Sequence, residues 1–309
     1  MEKLSDQMIM SREVNHARQL GKPIVALEST VITHGLPKPE NLQLARDMET
    51  EIRQKGATPA TIGVLDGKIH IGLEADELEK LANSPHPRKI SRRDFGIALA
   101  GKENGGTTVA GTLIVAHRAG INIFATGGIG GVHRGGGYDI SADLPELART
   151  PVIVVCAGAK AILDIPNTLE YLETMGIPVL GYQTDDFPAF YSSSSGYPVS
   201  ARVDTPEQVA QVAQAQWKLG IQSAVLVVVP PPVEVAIPSE TIDLAIQQAN
   251  QEAHAQKVAG QAVTPFLLSR VAELTGGASL KTNLGLLRNN ARVAAEIARF
   301  TYPSKERMV

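Results

Sequence analysis

A lysine stands out among the residues that could do chemistry. Lys160 follows the apolar run Val152 to Cys156, and only alanine and glycine separate it from that run. An ammonium group in apolar surroundings is poorly hydrated, which favours the neutral amine, the form that attacks carbonyl compounds to give imines. A lysine whose aliphatic stem packs while its ammonium reaches water would show the same spacing. The pattern therefore indicates either a nucleophile or a partly packed surface lysine, whereas Cys156 is typical of a small core residue.

Carboxyl groups accompany this lysine in two places. Glu28 directly follows the apolar run Ile24 to Leu27, so a carboxyl group lies where a predicted strand ends and could serve as a general acid or base. Asp139 and Asp143 flank Ser141 and offer the hard oxygen ligands that Mg²⁺ and Mn²⁺ accept together with water. The serine or the second aspartate could instead cap a helix that begins just after them. Both interpretations of this acidic segment are open at this point.

Many of the 28 glycines are clustered rather than scattered. One cluster occupies positions 127–137, directly after a predicted strand, and a second lies between positions 101 and 111. Glycine lets the backbone turn sharply and approach a ligand closely, and consecutive N–H groups can then point at an anion. A tight structural crossing is the alternative. The spacing does not match a dinucleotide fingerprint, because His133 occupies the place of the third glycine, and it does not match a P-loop.

Polar and basic residues near these glycines indicate an anionic ligand. Thr108 precedes a predicted helix, and a helix N-terminus with free N–H groups and a hydroxyl is suited to bind phosphate. Lys89 adds positive charge within the basic segment 88–93, although basic residues before a helix are often simply solvated. The pattern predicts a small phosphorylated ligand.

Short β-branched runs alternate with amphipathic stretches, and together these elements must position the reactive residues. Most of the runs are continuously apolar, as in parallel strands that are covered on both faces. Asp66-Gly67 predicts a hairpin and hence a mixed sheet. We predict one α/β domain over 1–309 with a helical N-terminal extension over 1–20, and ligands at the carboxyl ends of the strands. The predicted strands are 23–27, 61–65, 121–125, 152–156, 177–182 and 224–229, and the predicted helices include 40–55, 168–175, 242–253 and 284–298.

Composition and charge exclude several classes of protein. The hydrophobic fraction of 43% and the charged fraction of 20% are typical of a folded globular chain. A net charge of −3 lacks the basic excess that nucleic-acid binding requires, and no apolar run reaches the roughly 20 residues that span a bilayer. A single cysteine cannot form an internal disulfide, which suits a reducing compartment. We therefore expect a cytoplasmic protein without a nucleic-acid or membrane partner.

Several motifs, taken in order, carry a resemblance that extends from about Pro23 to Ile297. They are Leu27 to Thr30, Lys89 to Asp94, Gly106 to Ala110, Thr126 to Gly135, Asp139 to Leu144, Val155 to Lys160, Gly181 to Thr184, Thr264 to Leu268 and Leu274 to Gly277. With these motifs the chain resembles the pseudouridine-5'-phosphate glycosidases, a family that also includes indigoidine synthase A-like proteins.

This resemblance implies a three-layer α/β/α fold with a mixed central sheet, a homotrimer, and one Mn²⁺ or other divalent metal per subunit. It implies reversible cleavage of pseudouridine 5'-phosphate to uracil and ribose 5-phosphate. Lys160 is then the nucleophile, Glu28 the proton donor and Asp139 the metal ligand, with Asp143 as the alternative ligand. The substrate-binding residues implied in the same way are Lys89, Thr108, Val109, Thr126, His133, Ser141, Ala142, Asp143 and Asn283.

The implied chemistry explains why a lysine is needed. The base of pseudouridine is joined to ribose through carbon, so protonating a ring nitrogen does not create a good leaving group, and an electron sink is required. If an acid helps to open the ribose ring, a neutral Lys160 can form an imine at C1′, and the adjacent C–C bond can then break. The same lysine and phosphate site would serve a Schiff-base aldolase or lyase acting on another phosphosugar, or a sugar-phosphate sensor without turnover.

The chain departs from the family pattern at two places. Val229-Pro230 stands where family members usually read Asn-Pro, which removes a polar side chain near a loop. The loop from His133 to Asp139 is shorter than in many members. Neither departure includes Lys160 or Glu28, so we expect activity to be retained.

Overall fold

Parallel strands form the centre of the structure, a computed structural model that describes residues 6–134, 139–258 and 263–302. Eleven strands form one sheet, in which β1, β4, β3, β2, β7, β9, β13, β11 and β12 lie side by side in that order, β6 pairs with β3, and β5 pairs with β6. The remaining two, β8 and β10, form an antiparallel pair. The strands are β1 (Met8–Met10), β2 (Ile24–Leu27), β3 (Thr58–Leu65), β4 (Lys68–Ile71), β5 (Arg88–Ile90), β6 (Gly105–Thr107), β7 (Ile123–Ala125), β8 (Val132–His133), β9 (Ile153–Cys156), β10 (Leu163–Asp164), β11 (Val179–Tyr182), β12 (Ala201–Val203) and β13 (Val225–Val228).

All six predicted strands are confirmed, as β2, β3, β7, β9, β11 and β13; their first residues differ from the prediction by one to three positions, and their last residues agree except in β13. Every residue of β2, β7, β9, β11 and β13 is buried. Their runs are continuously apolar because helices cover both faces of the sheet. Adjacent pairs among β2, β7, β9, β13 and β11 are parallel, so their carboxyl ends meet at one edge.

The predicted hairpin joins β3 to β4 and confirms that the sheet is mixed. Leu65 pairs with Lys68 in an antiparallel register, which leaves Asp66 and Gly67 as the two turn residues. Their φ angles are 51° and 73°, as a type I′ turn requires. The antiparallel neighbours of β3 are β4 and β6, and these strands lie at one side of an otherwise parallel sheet.

Helices flank the sheet and give the predicted three-layer α/β/α architecture. α2 and α8 each contact α11, and α11 also contacts β2, β7 and β9, while α5 packs against α6 and against β2, β3 and β7. The helices are α1 (Arg12–Gln19), α2 (Glu40–Gln54), α3 (Ala75–Asn83), α4 (Phe95–Ala100), α5 (Val109–Arg118), α6 (Asp143–Leu147), α7 (Ile165–Thr174), α8 (Pro206–Lys218), α9 (Ser239–Ala255), α10 (Val263–Leu274) and α11 (Ala278–Thr301), with a π-helical turn at Val31–Gly35 and a 3₁₀ turn at Arg92–Asp94.

The four predicted helices correspond to α2, α7, α9 and α11. α2 and α7 each end two residues before a glycine with positive φ, Gly56 at 80° and Gly176 at 66°, as the sequence predicts. Within the predicted N-terminal extension, α1 is preceded by the short strand β1, which pairs parallel with β4 and was not predicted. None of the helices in the described ranges combines the length and apolarity that crossing a membrane requires.

Cys156 is a core residue, as predicted. It is the last residue of β9 and is fully buried. Burial raises the pKa of its thiol to about 12, so the thiolate that nucleophilic attack requires is disfavoured.

Candidate active site

The carboxyl ends of three neighbouring parallel strands bring the main candidate residues together. In the ladder Leu27 of β2 pairs with Ala125 of β7, and Ala125 pairs with Val155 of β9. The residues that directly follow β2 and β7, Glu28 and Thr126, therefore lie side by side. The segment after β9 continues past the glycine loop, where the Lys160 N–H donates to the Ile129 carbonyl at 3.1 Å.

The Glu28 carboxyl group is buried and held at both oxygens. Its side chain is 7% exposed; the Thr30 hydroxyl donates to Oε2 and the Thr126 hydroxyl donates to Oε1. The Asn290 amide of α11 donates to the Thr126 carbonyl at 2.9 Å, which fixes this loop to the helical layer behind it. The arrangement orients a carboxyl group towards the space in front of the sheet. The hydrogen bond from Thr30 to Glu28 was not predicted, because a threonine two residues after a glutamate is too common in sequences to indicate such a contact.

Two connected cavities lie in front of this carboxyl group. We call the larger one, of about 600 Å³, the outer lobe and the other the inner lobe; both are lined by Glu28, Thr30, Lys89, Lys160 and Thr264. Lys160 is half-buried at this junction. Of the predicted substrate and metal residues, those in the outer lobe are Thr108, Val109, His133, Asp139, Ser141, Ala142 and Asp143, and the one in the inner lobe is Asn283. Thr126 is fully buried and contacts the site through Glu28.

A second lysine shares the junction of the two lobes. Lys89 is the middle residue of β5 and pairs with Gly106 of β6. Burial lowers the pKa of its ammonium group, and the positive charge of Lys160 lowers it further, while Asp143 and Glu28 act in the opposite direction. Two amines and a carboxyl group therefore face the same small volume, an arrangement suited to proton transfer and to imine formation.

The structure separates the roles of the two aspartates. Asp143 is 6% exposed, and its carboxylate accepts the Ala110 N–H at one oxygen and the Gly130 N–H at the other, both at 2.9 Å. A Cβ at Gly130 would lie 2.7 Å from that carboxylate, so only glycine allows this approach. The Ser141 hydroxyl accepts the Asp143 N–H at 3.2 Å, at the start of α6. Asp143 thus joins the glycine loop to the N-terminus of α5.

Asp139 offers the freer carboxylate at the rim of the outer lobe. Its side chain is 69% exposed, and one oxygen lies 3.8 Å from His133 Nδ1. The described parts of the chain contain no group of three or more His, Cys, Asp or Glu side chains that could enclose a metal ion. A single hard carboxylate fits a divalent ion that keeps most of its water ligands, as Mg²⁺ does in many enzymes.

The outer lobe also presents groups suited to an anion. Thr108 is the N-cap of α5, and its hydroxyl accepts the Gly111 N–H at 3.2 Å. Two arginines line the same lobe: Arg92 is paired with the buried Glu146 at 2.6 Å, while the Arg93 guanidinium is 78% exposed. Neither arginine was assigned to the site from the sequence, although both belong to its basic segment. An α-helix N-terminus with nearby cations is suited to phosphate.

The inner lobe is narrower and mainly apolar. Asn283 of α11 brings its carboxamide into this lobe together with Leu287 from the same helix. Phe190 lines the lobe with a φ of 64°, a strained conformation, and its ring meets Tyr191 edge to face with 4.8 Å between centroids. His34, Phe190 and Thr264 were not predicted as site residues, because each comes from a segment distant in sequence from the glycine loop. Their arrangement suits a flat, polar-edged ring.

His34 connects the π-helical turn to the segment before β5. Its Nδ1 lies 2.7 Å from the Thr33 hydroxyl, and the imidazole also bonds to the Pro87 backbone. Burial lowers the pKa of His34 from 6.5, and the charge of Lys89 lowers it further. The folded protein therefore holds this imidazole neutral near pH 7.

We expect the free energy of unfolding to fall as the pH is lowered below about 6.5, in part because of His34. In this range the unfolded chain binds a proton at His34 that the folded protein does not bind, so acid favours unfolding. Urea denaturation measured above and below about pH 6.5 should show that acid lowers the free energy of unfolding less in His34→Gln than in the wild type. Equal losses in the two proteins would contradict the prediction.

Of the two departures from the family pattern, the one at Val229 lies outside this arrangement. Val229 is buried, its N–H donates to the Cys156 carbonyl at 2.8 Å, and it is not among the described residues that line either lobe. The shortened loop falls mostly on positions 135–138, which lie outside the described residues.

Comparison with known proteins gives the same family throughout. A family model for indigoidine synthase A-like proteins matches residues 13–300. Pseudouridine-5'-phosphate glycosidase of Geobacillus kaustophilus is 54% identical over 96% of this chain and 99% of its own, and that of Escherichia coli K12 is 51% identical over 96% of each.

Solved structures agree with this result. The prealnumycin C-glycosynthase AlnA, crystallised with ribulose 5-phosphate, superimposes with a TM-score of 0.89 at 40% identity and covers 96% of this chain and 98% of its own. An indigoidine synthase A-like protein from Thermotoga maritima gives a TM-score of 0.88 at 37% identity, with 96% of this chain and 98% of its own covered. Since the family model and these relatives span nearly the whole chain, the protein belongs to the indigoidine synthase A-like family.

Proposed function

We propose that the protein is a pseudouridine-5'-phosphate glycosidase, which cleaves its substrate reversibly to uracil and ribose 5-phosphate. The observation that carries this proposal is the position of Lys160, Lys89 and Glu28 at the junction of two lobes. One lobe is suited to a phosphate and the other to a flat ring, and relatives about half identical to this chain carry that name. If the base lies in the inner lobe and the phosphorylated ribose in the outer lobe, the glycosidic bond that joins them lies beside Lys160 and Lys89.

The first step opens the ribose ring. Glu28 donates a proton to the ring oxygen as the C1′–O4′ bond breaks, and the neutral Lys160 amine bonds to C1′. Thr30 and Thr126 hold the Glu28 carboxyl group in a fixed orientation, so little reorganisation is needed during the transfer. Lys89, whose pKa is lowered by burial and by Lys160, is suited to accept the proton that Lys160 must lose.

The second step breaks the C–C bond. Once uracil C5 has gained the proton that Lys89 accepted, the electron pair of the C1′–C5 bond moves into the uracil ring, and the Lys160 nitrogen supplies its pair to form a C1′ imine. Water then hydrolyses the imine, which frees Lys160 and releases ribose 5-phosphate. The overall reaction therefore consumes one water molecule for each substrate molecule that is cleaved.

The remaining residues bind and orient the substrate. The Val109 N–H at the start of α5, the Thr108 hydroxyl and Arg93 would hold the phosphate in the outer lobe. The Asn283 carboxamide, which carries both a donor and an acceptor, would bind the polar edge of uracil in the inner lobe. Holding the two ends in separate lobes positions C1′ at Lys160, and such positioning supplies a large part of catalysis.

A divalent metal, Mn²⁺ by the family resemblance, would be held at Asp139 with water in its other positions. Such an ion supplies positive charge near the phosphate and orients the groups at the rim of the outer lobe. The buried Asp143 is unsuited to this role because two backbone N–H groups already occupy its oxygens. We also propose a homotrimer, for which light scattering should give three times the mass of one chain.

Asp139→Asn is expected to lower activity about ten- to a hundred-fold at limiting Mn²⁺, with recovery at excess Mn²⁺. The loss of one carboxylate weakens ion binding but leaves the fold intact, because Asp139 is exposed. Asp143→Asn is the matched control: it removes an anchored acceptor and should lower the free energy of unfolding by about 2 kcal/mol, without recovery in Mn²⁺. Equal behaviour of the two variants would contradict the assignment.

The direct test of the proposed function is an ultraviolet assay of uracil release from pseudouridine 5'-phosphate with Mn²⁺. We expect release that EDTA reduces and that added Mn²⁺ restores. Absence of uracil at micromolar enzyme would overturn the proposal. A protein that traps ribose 5-phosphate with borohydride but releases no uracil would instead be a Schiff-base aldolase or lyase.

A further inference from the structure

A third cavity continues from the inner lobe on the side away from the lysines. We call this cavity, of about 250 Å³, the back cavity; it shares His34, Pro265, Leu268 and Asn283 with the inner lobe. Among the described residues, Glu28, Lys89 and Lys160 line the inner lobe but not the back cavity. A ring bound in the inner lobe with one edge at Lys160 therefore has its opposite edge at the entrance of the back cavity.

The lining of the back cavity is mainly apolar. Leu36, Leu268, Ala272 and Leu280 are among the apolar side chains that line it. A dry apolar cavity of about 150 Å³ is large enough to hold benzene, so 250 Å³ has room for a ring-sized apolar group. Two residues of its lining, Pro37 and Ser269, are exposed, so the cavity is partly open to solvent. A group that enters it is not forced into complete enclosure.

The chemistry of the reaction fixes which part of the base faces this cavity. Carbon C5 of the pyrimidine must lie at Lys160, because the bond to C1′ forms and breaks there. The opposite edge, with N1, C2 and N3, then points along the inner lobe towards Asn283. A substituent on a ring nitrogen leaves C5 free and extends away from the reacting bond.

We propose that the back cavity is a subsite for an apolar substituent on a ring nitrogen of the base, so that N-substituted pyrimidine-2,4-diones are also substrates. This inference rests on the proposed function. In the synthetic direction Lys160 and ribose 5-phosphate form the imine with loss of water. C5 attacks C1′ of the protonated imine, the C=N pair moves to the Lys160 nitrogen, and the C5 proton passes to the Lys89 amine.

The product is completed without change to the substituent. The C4′ hydroxyl oxygen bonds to C1′ as the C1′–N bond breaks, the hydroxyl proton passes to the Glu28 carboxylate, and the Lys160 nitrogen regains a proton from the Lys89 ammonium. The product mass is therefore that of the base plus ribose 5-phosphate minus one water, whichever group the ring nitrogen carries. Mass spectrometry detects it directly.

The test compares uracil, 1-benzyluracil and 3-benzyluracil as acceptors with ribose 5-phosphate. We expect conversion of uracil and of at least one benzyluracil. Ala272→Phe, which fills the back cavity, should lower benzyluracil conversion about ten-fold relative to uracil, since overpacking costs about 1–3 kcal/mol. Leu280→Ala should raise the same ratio. Ala255→Phe, at an exposed position at the end of α9, is the matched control and should leave the ratio unchanged.

Each other result counts against the inference. Conversion of uracil with neither benzyluracil converted overturns the subsite but leaves the proposed function standing. A benzyluracil ratio that Ala272→Phe does not change overturns it too. If Ala272→Phe misfolds and no longer converts uracil, Leu280→Ala provides the test. An unchanged ratio of benzyluracil to uracil conversion in that variant overturns the subsite. Failure of uracil itself in the wild type overturns the proposed function and this inference together.

Discussion

Lys160→Ala is expected to lower uracil release at least about 10³-fold, because the imine is the only electron sink in the proposed reaction. The variant should also fail to trap ribose 5-phosphate on reduction with borohydride. In the wild type, the trapped sugar should appear as a mass increase on the peptide that carries Lys160. The substitution removes a half-buried side chain at the cavity wall, so we expect little change in the free energy of unfolding.

The informative rival in this experiment is Lys89. It faces the same volume, and burial together with the charge of Lys160 lowers its pKa, which favours the neutral amine that imine formation requires. If Lys160 is the nucleophile, Lys89→Met lowers turnover but still traps the sugar at Lys160. Sugar mapped to Lys89 in the wild type, or retained by Lys160→Ala, would contradict the assignment and make Lys89 the imine-forming residue.

The sequence allowed the central part of the fold to be predicted because buried parallel strands are continuously apolar. The shared position of Glu28 and Lys160 could be predicted for the same reason, since each follows such a run, and parallel strands end at a common edge. The strands β1, β5 and β6 were not predicted. Each has only three residues, and β6 is Gly105–Thr107, whose glycines carry no strand pattern.

Other parts of the site depend on contacts between segments far apart in sequence. Which of Asp139 and Asp143 keeps free carboxylate oxygens could not be predicted from their spacing, because it depends on where the Ala110 and Gly130 N–H groups lie. In the same way, the aromatic ring of Phe190 reaches the inner lobe through a backbone conformation that its neighbours in sequence do not indicate. Such residues are identified only once the loops are placed.

Glu28→Gln is the second change with a large expected effect. We expect uracil release to fall about 10²- to 10⁴-fold, the usual contribution of a general acid, because an amide cannot donate the proton that opens the ribose ring. The variant keeps the size of the side chain. The amide nitrogen of glutamine cannot accept a hydrogen bond from a hydroxyl group. Its single side-chain oxygen can still accept one from Thr30 or Thr126.

Trapping of ribose 5-phosphate separates this role from that of Lys160. The free sugar opens spontaneously to its aldehyde, so Glu28→Gln should still accumulate the Lys160 adduct with borohydride even though it scarcely cleaves the nucleotide. Thr30→Val and Thr126→Val each remove one of the hydroxyl groups that hold the carboxyl group, and each should lower turnover about ten-fold while trapping persists. If Glu28→Gln kept near wild-type turnover, ring opening would need another acid, and among the groups at the junction of the lobes the Lys89 ammonium is the one placed to supply it.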